Sequence, residues 1–314
     1  MVIALSVLSG RAGAQIGTGS DVGVVHLSDG STVSDPNNYL SGSFAVGPDH
    51  TYGVFRRTVG DGRDYNDGYT SFQFFTPIYV FDDHHLLFSD TRFNFTDDGQ
   101  LAASVGGGFR KFFAGQNRIL SGSFWFDTDE SDQRNRYNQF GFSLEWLGDK
   151  WNLRGNFYNP TSHGPHKVGT RLGMVPFFRG NHILFSDIRF DEVALTGADL
   201  ELGVPLPGHP DIKGYAGLYY YDSKIRTDKL GIRGRLEAYL SDALTVELSI
   251  SQDPLFGTNL AMATAYTIGA NWQLLRPYRE RTVEQRMHQQ VARTDRMALR
   301  TFVGSRFDSL AINP

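Results

Sequence analysis

The side chains best suited to catalysis gather in short, turn-like clusters. His84 and His85 stand in DDHH (82–85), His163 and His166 in SHGPH (162–166), and His209 in a Pro-rich turn, with His182 inside the long stretch 158–192. A hydrolase needs a histidine beside a serine, with an acid or amide to orient the imidazole. None of these histidines adjoins a recognisable serine motif. DDHH has a metal-binding composition, but adjacent residues on an exposed turn read as turn residues. The chain has no cysteine, which excludes disulfide scaffolds, thiolate metal sites and cysteine nucleophiles together. The reading is a non-enzyme with no catalytic residue, no cofactor and no metal.

A second set of charged residues is organised differently. Arg110, Glu145, Arg154, Glu201, Arg233, Arg235, Glu237 and Glu247 each lie in a segment whose residues alternate apolar and polar. In KLGIRGRLEAYL (229–240), Leu230, Ile232, Leu236 and Leu240 share one face, and Arg233, Arg235 and Glu237 the other. ALTVELSIS (243–251) and QFGFSLEWL (139–147) do the same. Period two is the signature of a strand, whose successive side chains point to opposite faces. Twelve such segments are expected: 52–59, 69–80, 85–95, 100–112, 118–127, 137–147, 150–157, 193–204, 212–221, 229–240, 243–251 and 258–275.

Alternation fits a soluble sheet with its apolar face inward, and equally an outer-membrane barrel with that face toward lipid. Three features favour the barrel. The polar face mixes Gly and Ala with charges of both signs, which suits a confined lumen better than a wet surface. Tyr79, Trp146, Tyr239 and Trp272 sit toward one end of their segments and Phe126, Phe157 and Tyr220 toward the other, resembling two interfacial girdles, although Tyr239 has the wrong parity. Connections also alternate between tight turns and longer or more charged loops such as GDGRDYNDG (60–68), TDESDQRNR (128–136), DSKIRTD (222–228) and QDPLFGTN (252–259). The fold class is therefore all-β, a twelve-stranded antiparallel up-and-down transmembrane barrel with outer-membrane lipid as its solvent. No run reaches the roughly 18 apolar residues of a membrane helix. A formal charge of -4 gives no reason to expect nucleic acid.

The runs LLFSDTRFNFTDDGQLAASVGGGFRKF (86–112), ILSGSFWFDTDES (119–131), YNQFGFSLEWLGDKWNLRGNFY (137–158) and GADLELGVPLP (197–207) resemble, in kind and order, the translocator domain of inverse autotransporters, the intimin and invasin family. The likeness covers roughly 52–275. It implies a barrel with a periplasmic N-terminus whose chain, after the last strand, returns through the pore to export a C-terminal adhesive passenger. The outer-membrane assembly machinery and a ligand on a host or neighbouring cell are the partners it implies. The runner-up is a passive pore whose selectivity is set by inward Arg and Glu.

The ends carry two further expectations. VIALSVL (2–8) followed by AGA (12–14) reads as a truncated signal peptide over 1–14, and 15–51 as a flexible periplasmic lead-in. The tail 276–314 holds eight arginines against four acids. It reads either as a linker lying in the lumen, with Arg276, Arg279, Arg281 and Arg286 as candidates, or as a solvated basic tail. Val283, Met287 and Val291 recur every four residues, the spacing of a short helix. The stretch 158–192 is expected to be an ordered outer loop with its own small core.

Overall fold

In a computed structural model, residues 51–60, 68–81, 84–161, 164–179, 182–223, 226–241, 243–269, 282–294 and 296–304 are described. Twelve strands close on themselves: β1 (Tyr52–Gly60), β2 (Tyr69–Phe81), β3 (His85–Thr96), β4 (Leu101–Phe113), β5 (Arg118–Glu130), β6 (Arg136–Gly148), β7 (Asn152–Pro160), then, after a hairpin of β8 (His166–Arg179) and β9 (His182–Ala194), β10 (Thr196–Leu206), β11 (His209–Ser223), β12 (Arg226–Tyr239), β13 (Leu244–Asp253) and β14 (Gly257–Ile268). Every neighbour in the barrel is antiparallel, and Phe55 of β1 pairs with Phe72 of β2 on one side and Tyr266 of β14 on the other. Closure leaves no unpaired sheet edge, the condition for a β-structure to cross hydrocarbon.

The faces are inverted relative to a soluble protein. Leu230 is 61% exposed, Phe124 55% and Ile250 52%, while Asp90 and Arg110 are 0% exposed. Apolar side chains point away from the axis and charged ones toward it, which is the arrangement of a transmembrane barrel. Glycine keeps the wall thin where a large ring lies flat against it. A Cβ on Gly106 would collide with the Trp125 ring, and one on Gly203 with the Tyr215 ring.

One end of the barrel carries tight turns: a 3-10 turn at Ala114–Gln116 with Asn117 in the left-handed region (φ 50°), and two residues between β10 and β11. The outer connections differ from expectation. The 222–228 and 252–259 segments are largely strand, because pairing continues to Ser223↔Arg226 and Asp253↔Gly257. Once past the lipid, water solvates the charged side chains and nothing stops the ladder. The stretch 158–192 forms no irregular loop either. β8 and β9 pair as a hairpin, and β15 (Leu299–Gly304) from the tail adds to β9, giving a three-stranded sheet of order β15-β9-β8. The expected strand 193–204 starts later, at Thr196, since Val193 and Ala194 end β9.

Tyr239 does not belong to an outer girdle. It sits two residues from Glu237 on the same face and donates its hydroxyl to that carboxylate, so it points into the lumen. Phe126, Phe157, Tyr220 and Trp146 are outward and exposed. Trp272, the expectations for 1–14 and nearly all of 15–51, and the tail arginines 276, 279 and 281 lie outside the described residues.

Candidate functional site: the barrel lumen

The lumen holds a segment of the chain itself. Residues 282–294 and 296–298 run from the tight-turn end to the loop end, and their contacts climb the wall in sequence order. Arg286 donates to the Gly148 carbonyl (2.7 Å) and to Asn152 Oδ1 (2.7 Å), both at the tight-turn end. Arg92, in the outer half of β3, donates to the Val291 carbonyl (2.5 Å). Arg293 grips Asp127 through two hydrogen bonds of 2.7 and 2.6 Å, and Arg296 reaches Asp129 (2.9 Å) near the outer end of β5. The Leu195 N–H then donates to the Ala298 carbonyl (2.8 Å), and β15 follows.

The segment begins as a turn and then extends. Thr282 and Gln285 exchange reciprocal bonds, Gln285 N–H to Thr282 Oγ1 (3.2 Å) and Thr282 N–H to Gln285 Oε1 (3.1 Å), the pattern of a capping box. A 3-10 turn, Glu284–His288, follows, and Gln289 is already extended (φ -69°, ψ 143°). The helix that the spacing of Val283, Met287 and Val291 suggests therefore stops after one turn. Arg110 of β4 takes the Met287 carbonyl (2.5 Å) and that of Gln289, and Arg92 takes that of Val291. Continued helix would need those same carbonyls as acceptors. Val283, Met287 and Val291 are still buried together, against Phe75, Phe88, Ile119 and Leu147.

Trp125 is an aromatic residue on the inward parity of β5. It faces inward among the polar side chains of β5, with the Arg293 guanidinium 4.4 Å and that of Arg92 4.9 Å from its ring centre. Cations over an indole face are attracted by its quadrupole. Its parity with Ser121, Ser123, Asp127 and Asp129 places it inward, and Gly106 opposite leaves room for the ring.

The eight charged strand residues fall into two groups. Arg110 and Glu145 pair at 2.9 Å, and both touch the lumen segment, Glu145 through the Ala292 N–H (3.3 Å). Arg154 lies between Glu145 (3.5 Å) and Glu201 (3.8 Å). On the other wall the charges satisfy one another: Arg235 bridges Glu201 (2.5 Å), Glu237 (3.2 Å) and Glu247 (3.1 Å), Arg233 joins Glu201 (3.1 Å), and Arg56 joins Glu247 (3.1 Å). Between this wall and the segment a cavity of about 210 Å³ remains, lined by Arg56, Arg233, Arg235, Glu237, Glu247 and, on the segment, Gln289.

Of the histidines, the His84 ring meets Phe112 edge-on (5.9 Å), His85 stacks on Phe109 (5.6 Å), His166 meets Tyr137 edge-on (5.1 Å), His209 is exposed at the start of β11, and His288 lies on the lumen segment beside the cavity. No group of three or more His, Asp or Glu capable of holding a metal occurs among the described residues.

Comparison with known proteins agrees with this geometry. A solved membrane protein from work on the mechanism of in-meso crystallization aligns at TM-score 0.61 and 16% identity, over 80% of this chain and 100% of that one. The KdgM porin aligns at TM-score 0.42 and 8% identity over 69% and 98%, and the β domain of the Bordetella autotransporter BrkA at 0.34 and 12% over 69% and 98%. At these identities the first likeness speaks for the fold alone. No curated protein sequence matches. The family model of the inverse autotransporter β-domain matches residues 50–308, and with a closed barrel of twelve strands threaded by its own tail, the chain belongs to the inverse autotransporter β-domain family and is an outer-membrane β-barrel.

Proposed function

We propose that this barrel anchors and exports a C-terminal segment through its lumen. One observation carries the reading: the chain after β14 crosses the lumen from the tight-turn end to the loop end and ends in a strand of the outer sheet. Short turns lie on the periplasmic side of such barrels and larger loops outside, so the direction of travel is outward. Arg286, Arg293 and Arg296 act as the fasteners of the linker. Residues 1–14 serve as an export address and 15–51 as a periplasmic lead-in. Assembly machinery of the outer membrane inserts the barrel, and a passenger, where present, meets a ligand on another cell. The match to the inverse autotransporter β-domain supports a non-enzymatic role.

An epitope appended after Pro314 tests this. Antibody should bind it on intact cells. Binding only after the outer membrane is permeabilised would defeat the export reading. The passive-pore reading is favoured by the cavity beside the segment. Full-length protein in planar bilayers should conduct little, and protein lacking residues 276–314 should show large steps. Equal, high conductance of both would establish the pore reading instead.

A further inference from the structure

We propose that the lumen contains a latent ion pathway along the β10–β14 wall, shut at its outer end by an apolar cap built mainly on β11 and the β13–β14 connection, to which the lumen segment adds Ala298. The lining of the cavity starts at Thr245 and Thr267, each one residue in from the tight-turn end of its strand, and reaches Asp199 and Arg233 in the outer half. Along this length Arg233, Arg235, Glu201, Glu237 and Glu247 line the cavity with their charged groups, beside the apolar side chains of Val54, Ala265 and Val291.

The next layer outward changes character. Asp199 is paired across the ladder with Tyr219, which in turn pairs with Gly231, two residues above Arg233 on β12. Tyr219 and Tyr221 are buried with Val193, Leu195 and Ala298, and Leu255 and Phe256 pack on this cluster. Tyr221 meets Phe256 edge-on at 6.0 Å, and Tyr219 lies 5.6 Å from Tyr221. Asp253 holds the β13–β14 connection in place. It accepts the Tyr219 hydroxyl (2.6 Å) and the backbone N–H groups of Leu255 (2.6 Å) and Phe256 (2.8 Å). The connection is thereby bent so that Leu255 and Phe256 pack on the Tyr219–Tyr221 cluster.

A hydrophobic constriction blocks ions by excluding water, without needing to fill the pore. The lumen segment fills the β3–β7 side and the cap closes the β10–β14 side, so the barrel has two seals that meet at Ala298. The pathway goes beyond the export reading and does not depend on it.

The experiment is planar-bilayer conductance of the full chain carrying Tyr221→Ala with Phe256→Ala, beside the wild type. Heat-modifiable gel migration serves as the fold check, and trypsin resistance shows that residues 282–298 remain seated. Leu255→Ser lies outside every strand and provides the same reading without altering the barrel wall. The expected result is step conductance absent from the wild type, with the lumen segment still protected. Folded cap variants as silent as the wild type, while a chain lacking 282–304 conducts, would overturn the proposal and assign the whole barrier to the segment.

Discussion

The two walls of the lumen contain the same residue types and use them in opposite ways. On the β3–β7 wall, Arg92, Arg110, Asp127 and Asp129 spend hydrogen bonds on the lumen segment. On the β10–β14 wall and β1, Arg235, Glu201, Glu237 and Glu247 are satisfied by one another. Buried charge in an apolar shell requires a partner. One wall draws its partners from a removable strand of chain, the other from itself. The difference separates grip from scaffold: the first wall holds the segment, and the second holds the barrel's shape whatever passes beside it.

Substitutions should divide along that line. The largest effect is expected for Arg235→Ala, which takes a shared cation from Glu201, Glu237 and Glu247. Breaking a buried pair costs about 3–5 kcal/mol, read as a loss of barrel stability in urea unfolding from lipid vesicles, while the segment stays protected from trypsin. A loss of segment protection at unchanged barrel stability would reverse the assignment of that wall. Leu248→Arg changes the lipid face, 45% exposed at mid-strand, and should cost about 2–4 kcal/mol near the bilayer midplane. A neutral outcome there would contradict the inverted faces.

Asp127→Asn with Asp129→Asn should act on the other wall. Hydrogen bonds to charged groups contribute about 1.5–3 kcal/mol each, and the loss should appear as new trypsin cleavage at Arg293 and Arg296 with barrel unfolding little changed. The smallest effect lies outside both walls. The Arg57 guanidinium hydrogen-bonds the Asp97 carboxylate (2.6 Å) in the β3–β4 turn and holds its pKa below the ordinary value of 3.8. A carboxyl depressed in the folded state stabilises above its unfolded pKa, and that contribution fades as pH falls through the folded value. Exposed as it is, Asp97 contributes little. NMR titration should place its midpoint below 3.8, and Arg57→Ala should move it up.

The twelve barrel strands were legible in the sequence because lipid and lumen impose a strict alternation on each of them. Leu260, Met262, Tyr266 and Ile268 in β14 read as one face and lie outward together. The outer sheet was not legible. Once outside the membrane, β8, β9 and β15 are free of the two-solvent pattern, and β15 is recruited by a strand more than a hundred residues earlier. In the lumen, parity showed which charges turn inward but not their partners. Whether Glu145 pairs with Arg110 or Arg154, and whether Asp127 waits for Arg293, depends on strand stagger and on the tail's path. The helical spacing of Val283, Met287 and Val291 signalled burial correctly and conformation incorrectly, because the wall's arginines compete for the backbone carbonyls.

The central claim is that charged side chains of the β3–β7 wall hold the segment in the lumen. Because the native chain has no cysteine, paired thiols report proximity without background. Asn156 donates to the Ala292 carbonyl at 3.3 Å, so Asn156→Cys with Ala292→Cys should cross-link under mild oxidation and shift the unreduced band on a gel. Ser249→Cys on the opposite wall, paired with Ala292→Cys, should not. Efficient cross-linking of the Ser249 pair with none of the Asn156 pair would contradict the account.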